Sequence, residues 1–398
     1  MGSDGSWALK YVFRALLAIV VLFLFVLPAL TGMMLERSQT LPKDFLVYID
    51  FIETVQSYLM IGLTALWVFF VGSCFASFLN VVAWRIPRGR SIVGSSACPG
   101  CDKKLSLTDN IPIAGWLRTG GECRYCKVPI SPRYLVVELI LGAVFLLIVI
   151  AELVSGGMSI PMRSPSSAGL EWVLYEPKWG LIQITCFHLT LISTVFTLAL
   201  VELEKTEQPW LITLPFALTG FVCAIALPPA LPVGWELPAP AFVAYSHTDA
   251  GLYLTPLFGL MCGVLCGGIV VSTGRSDLKN NGNWKHIVFS LALCGLFLGW
   301  QASISVCLIF LILRCLVPVF PPRLRMYANV ESGLVCAAAI VHILFWRATA
   351  ATSYWPGPLS EWWQVLIGLI ACIAIGRASA QLNSTAAGKE VVQTESSG

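Results

Sequence analysis

Between two long apolar runs the sequence reads Cys98-Pro-Gly-Cys101 and then, after an interval of twenty-one residues, Cys123-Arg-Tyr-Cys126. Each pair forms a short knuckle with both sulfurs on one side, and two such knuckles supply four thiolates for a tetrahedral metal. The flanking runs, Ser57–Trp84 and Leu135–Leu153, are each long enough to cross about 30 Å of hydrocarbon as a helix. The cysteines therefore occupy a polar loop between membrane helices, too small to build a hydrophobic core. A bound metal would supply the folding energy such a loop lacks. Four protein ligands leave no open coordination position, so the expected role is a structural zinc rather than a catalytic one.

Working outward, the 398-residue chain is 57% hydrophobic and 12% charged, against about 25% charged in soluble domains. Further apolar runs lie at Tyr11–Met34, Gly180–Val201, Trp210–Leu231, Leu252–Ser272, Ile287–Val317, Leu334–Trp346 and Val365–Ile375. Their solid hydrophobicity, without alternation, predicts helices rather than a barrel. The expected fold is an all-α polytopic membrane protein of about 8–10 transmembrane helices with a small cytoplasmic zinc-ribbon insertion. Ile287–Val317 is too long for one simple crossing and is open to two readings: a tight hairpin keeps Arg314, Arg323 and Arg325 inside, which the charge rule prefers, and a single crossing places them outside. Tyr11–Met34 exceeds a signal-peptide core and reads as a retained anchor.

Charge placement orients the chain. Arg85–Arg133 carries nine basic residues against Asp102, Asp109 and Glu122, whereas the loop between the first two runs is acidic. The positive-inside rule then places the N-terminus and the cysteine loop in the cytoplasm, where disulfides are disfavoured. Juxtamembrane position assigns the basic patch to topology and lipid headgroups rather than to nucleic acid. The expected organisation is an N-terminal anchor and external loop (1–56), a first core helix (57–84), the zinc ribbon (85–133), a membrane core (134–320), C-terminal helices (321–376) and a disordered polar tail (377–398).

Around the ribbon the sequence resembles the bacterial prepilin peptidases, also called type IV leader peptidases. The resemblance lies in Ser77-Phe78-Leu79-Asn80-Val81-Val82 with Trp84-Arg85-Ile86-Pro87, and in Asp109-Asn110-Ile111-Pro112 with Trp116-Leu117. It continues in Pro129-Ile130-Ser131-Pro132-Arg133-Tyr134 leading to Val137-Glu138-Leu139. It implies a multi-pass protein of the bacterial inner membrane that cleaves the leaders of pilin-like or pseudopilin precursors on its cytoplasmic side. It further implies an aspartic-type mechanism, with one carboxylate activating water and a protonated one polarising the scissile carbonyl. Many members also N-methylate the new terminus, which brings S-adenosylmethionine as an expected cofactor. Asn80, Arg85 and Glu138 are the substrate-binding candidates on this reading, with Asn80 and Arg85 also organising the helix end and the ribbon.

The resemblance assigns the first acid to Glu202, seven residues before Pro209, where the family has Asp; Glu204 is the substitute. Gly274-Arg275-Ser276-Asp277 resembles the family's Gly-x-Gly-Asp and makes Asp277 the second acid. Alignment on Gly295 and Gly299-Trp300 instead puts Gly282-Asn283-Trp284-Lys285 at that place, with no acid. One methylene more in Glu202, and the altered glycine motif, raise a second expectation: a catalytically impaired homologue acting as a binding or assembly protein in a type IV pilus or type II secretion system. Without the resemblance, Glu202, Glu204 and Glu207 read equally as a solvated helix end, and Asp277 as an exposed ion pair. The ten other cysteines read as small packing residues, and His188 and His342 as packing or hydrogen-bonded groups.

Overall fold

In the computed structural model, residues 43–98, 100–161, 163, 165, 177–205, 210–227, 231, 250–274, 283–321, 330–352, 355–356 and 362–396 are described. The expected anchor at Tyr11–Met34, Asp277 and the loop Pro228–Asp249 lie outside them.

Helix α1, Lys43–Arg85, runs through the acidic stretch read from sequence as loop. A short 3-10 turn, Ile86–Arg88, ends on Gly89 at φ 64°, a left-handed position that glycine takes without cost. The ribbon contains the short α2, Ala114–Thr119. Helix α3, Arg133–Ile148, continues as a π-helical turn, Val149–Val154. Then come α4 (Trp179–Leu203), α5 (Trp210–Ala226), α6 (Ala250–Thr273), α7 (Trp284–Leu298), α8 (Trp300–Leu316), α9 (Glu331–Ala350) and α10 (Trp362–Ser396). Among the described residues, seven helices are long and apolar enough to cross a membrane, and α5 and α7 are shorter apolar helices. No strand is present among them.

The chain divides into two compact units, residues 1–68 and 69–398, and 43–68 are the described residues of the first. In the second unit α4 is central, its buried face extending from Leu181 to Glu202. Close packing depends on small residues, as in other membrane bundles. On α6, Gly259, Gly263 and Gly267 lie against Gly295, Leu291 and Val288 of α7, and a Cβ at Gly259 would overlap the Gly295 carbonyl. This falling register makes α6 and α7 antiparallel. Along α6 the order reverses for α8, since Cys262 donates to the Trp300 carbonyl (3.4 Å) and Cys266 meets Cys307. The chain therefore turns back at Gly299, φ 92°, which is the expected hairpin within Ile287–Val317.

Helix α10 extends to Ser396 through residues whose polarity reads as a disordered tail. Their Ala, Gln, Leu and Glu content carries high helix propensity, which polarity alone does not reveal. At the end of the bundle away from the ribbon, the Arg347 guanidinium binds the carbonyls of Gly157 (3.0 Å) and Arg163 (2.6 Å). There Glu152, on the π-turn, hydrogen-bonds His188, and His342 bonds Ser305 at 2.9 Å. Both histidines are thus buried, hydrogen-bonded residues.

Candidate functional site

The two knuckles of the ribbon are built alike. Cys98 N–H reaches Lys103 O and Cys123 N–H reaches Val128 O, at 3.0 and 2.9 Å. Each turn closes through a left-handed residue, Asp102 (φ 55°) and Lys127 (φ 59°), four positions after its first cysteine. Two residues after that cysteine a backbone N–H points at its sulfur, Gly100 to Cys98 Sγ (3.3 Å) and Tyr125 to Cys123 Sγ (3.4 Å). Such bonds favour the thiolate, and those from Cys126 and Tyr125 bring the Cys123 thiol down to about 6.

The four sulfurs lie within 4.8 Å of one another, with Cys98–Cys126 at 3.7 Å and Cys101–Cys123 at 3.9 Å. A zinc–sulfur bond of about 2.3 Å in a tetrahedron requires sulfurs about 3.8 Å apart. The donor set fits a metal. The ribbon has little else to hold it: its buried residues among those described are Cys98, Gly115, Gly121 and Cys123.

Asp109 ties the interval between the knuckles, bonding Ser106 (2.6 Å) and the guanidiniums of Arg118 and Arg124. The Ser106 hydroxyl first, and the two arginines against a desolvation cost, hold its carboxyl below the usual range.

The ribbon is moored to the bundle at several points. Buried Glu138 of α3 accepts the Ile113 N–H at 2.7 Å. Ile113 itself sits at φ 62°, costly for a β-branched residue. Arg85 caps the end of α1 with bonds to the carbonyls of Ser91, Ile92 and Ser95 at 3.3–3.4 Å. Glu204, just past α4, binds Arg88 (2.9 Å) and Arg133 (2.6 Å), which bracket the ribbon. Partial burial raises the Glu204 carboxyl, but the hydrogen bonds and charges of Arg133 and Arg88 outweigh it and hold it low. Asn80 is buried, and its Nδ2 has no hydrogen-bond partner among the described residues.

Glu202 lies at the same end of α4 and is 9% exposed. Its Oε1 accepts the Glu331 N–H (2.9 Å) and its Oε2 the Ser332 N–H (2.8 Å). Helix α9 lacks a side-chain cap of its own at Val330, so Glu202 supplies that cap from another helix. Beside it, Glu331 pairs with Arg314 of α8 at 3.1 Å, both buried. Sequence reading singled out neither member of this pair as a site residue. The available signal was an ionisable group at the end of an apolar run.

The structure thus brings Glu202, Glu204, Glu138, Asn80 and Arg85 to the ribbon end of the bundle, while Asp277 is outside the described residues.

The Bacterial Peptidase A24 N-terminal domain matches residues 70–152 of the chain. The "Prepilin leader peptidase/N-methyltransferase" of Myxococcus xanthus is 30% identical over 247 residues, covering 62% of this chain and 59% of that protein. A Klebsiella pneumoniae protein of the same name is 41% identical over 87 residues, 20% of this chain and 38% of its own. The Burkholderia pseudomallei one is 26% identical over 317 residues, 71% and 86% respectively. The chain spans about three fifths or less of the length of the first relatives it matches. No solved structure matches. The A24 match encloses both the cysteine loop and Glu138, so this region of the chain is similar to the N-terminal domain of the bacterial prepilin peptidases.

Proposed function

We propose that this protein is a membrane-embedded leader peptidase of aspartic type that acts on pilin-like or pseudopilin precursors at its ribbon end. On this reading the ribbon end faces the cytoplasm, the membrane is the bacterial inner membrane, and the ribbon holds one structural zinc through Cys98, Cys101, Cys123 and Cys126. The observation that carries the reading is the setting of Glu202. Two backbone N–H groups hold both oxygens of its carboxyl group in a fixed position at the ribbon end of the bundle, the placement that the water-activating member of an acid pair requires. Asp277 is the protonated partner, polarising the scissile carbonyl as Glu202 takes a proton from the attacking water. S-adenosylmethionine would supply the methyl group if the new amino terminus is also methylated.

The same hydrogen bonds favour a second reading. Both Glu202 oxygens are engaged by α9 and Glu204 is engaged by Arg88 and Arg133, so these acids serve the scaffold. The protein then binds pilin-like helices without cutting them.

Co-expression with a pilin-like precursor distinguishes the two. The peptidase reading expects leader removal by the native chain and at least a hundredfold loss in Glu202→Gln and Asp277→Asn. Equal processing by all three removes these acids from the mechanism. Binding of the precursor without any processing selects the scaffold reading.

A further inference from the structure

We infer that the turn following α1 is a discrete binding site for the anionic headgroup of a membrane phospholipid, formed by Arg90 and Arg88 over the Trp84 ring. Three candidate spans, Val55–Arg88, Arg133–Val154 and Trp179–Leu203, end at this place. Their ends touch, because Glu204 binds both Arg88 and Arg133. The contact therefore marks one level of the bundle, where hydrocarbon gives way to headgroups.

Trp84 stands at that level, 40% exposed, as aromatic residues do at membrane interfaces. Two guanidiniums share its ring, Arg88 at 5.0 Å and Arg90 at 4.9 Å from the centroid. The two cations are held in different ways. Arg88 is tethered, donating to the Trp84 carbonyl at 2.8 Å and to Glu204. Arg90 is exposed, and its guanidinium has no hydrogen bond or ion pair among the described residues. The ring sets its orientation while its planar fork stays open to a phosphate.

Local charge calls for an anion. Arg85, Arg88, Arg90 and Arg133 come together here, and Glu204 is engaged by Arg88 and Arg133. Arg85 is turned to backbone carbonyls, which folds residues 91–95 back against the end of α1. That fold carries Ile92 (41% exposed) and Val93 (84% exposed) to the same level. Exposed apolar side chains beside an open guanidinium suit a lipid, which offers acyl chain and phosphate together, better than a free anion.

The test uses the full chain purified in detergent, with bound lipids counted by native mass spectrometry. Phosphatidylglycerol and phosphatidylcholine of matched acyl chains are compared, with inorganic phosphate as a competitor. The expected result is preferential retention of the anionic lipid, lowered about fivefold or more in Arg90→Gln, near the contribution of one interfacial cation. Trp84→Leu should lower it by a smaller factor, and the paired Lys103→Gln, Lys104→Gln change should leave it intact. Unchanged metal content and helicity confirm that each variant is folded; if Arg90→Gln fails this, Arg90→Lys should show reduced retention in its place. Equal retention of the two lipids, no loss in either Arg90 variant, or an equal loss in the lysine control overturns the site. Full displacement by millimolar inorganic phosphate overturns its assignment to lipid.

Discussion

The ribbon and the α6–α7 seam are held by opposite means. In the ribbon, four sulfurs lie within 4.8 Å of one another and no large apolar side chain is buried among the described residues of 86–132. In the seam Gly259, Gly263 and Gly267 let one backbone lie against another, and dispersion over many atoms does the rest. A bound ion concentrates stability in a few atoms, whereas close packing spreads it along a helix. The ribbon should therefore fail all at once and the seam by degrees. Between them lie Glu202 and Glu204, whose bonds are local and ionic but act on whole helices.

The sharpest way to break the contrast is to deny the ribbon the metal that its four sulfurs fit. Cys123→Ser or a strong chelator should abolish the ordered ribbon, because structural zinc contributes about 10 kcal/mol or more to such domains. Metal analysis should fall from one ion per chain to none, and limited proteolysis should cut between residues 85 and 133 while the helices persist.

At the seam, Gly259→Ala forces a methyl group into the Gly295 carbonyl. Overpacking of this kind costs about 1–3 kcal/mol, readable as an earlier midpoint in denaturing-detergent titration with metal content unchanged. A metal loss in this variant would show that the two regions are not independent.

Glu202→Gln replaces a charged acceptor with an amide that can turn only one oxygen to α9. A loss of about 2 kcal/mol is expected, together with faster hydrogen exchange at Glu331 and Ser332. Exchange rates equal to the native chain's would remove Glu202 from its capping role.

The smallest effect concerns Glu204. Its carboxyl is held below the ordinary value of about 4.3, so its contribution is present above that pH and disappears as pH falls through the lower folded value. Native chain and Glu204→Gln should differ by about 0.5 kcal/mol at pH 7, as for partly exposed pairs. The difference should begin to shrink as pH falls past the unfolded value and vanish once pH is below the lower folded one. A gap that widened there would reverse the assigned sign.

Much of this was legible in advance for a physical reason: a metal knuckle and a membrane span are both local patterns. Cys98 to Cys126 announce themselves by spacing, and the helices by length of apolar run. That Ile287–Val317 exceeds one simple crossing was legible too, but the place of its break at Gly299 was not. What could not be read were pairings across distant helices. Nothing in the order of residues says that Glu202 meets the backbone of Glu331, or that Arg314 meets Glu331, because those contacts follow from how α4, α8 and α9 pack. Helix α1 reached further back than expected because its acidic residues alternate with large apolar ones, so that charge alone was a poor guide to its start.

The double grip of Glu204 on Arg88 and Arg133 has a kinetic consequence for the ribbon. The two arginines are the points where the chain leaves the bundle and returns to it. Holding both on one carboxylate fixes the ends of the intervening loop close together, so its closure entropy is already covered by the helices. Metal capture then has only the interior of the loop to order. Refolding of the ribbon around added zinc should be a fast local search, and should slow measurably once Glu204 no longer clasps its base.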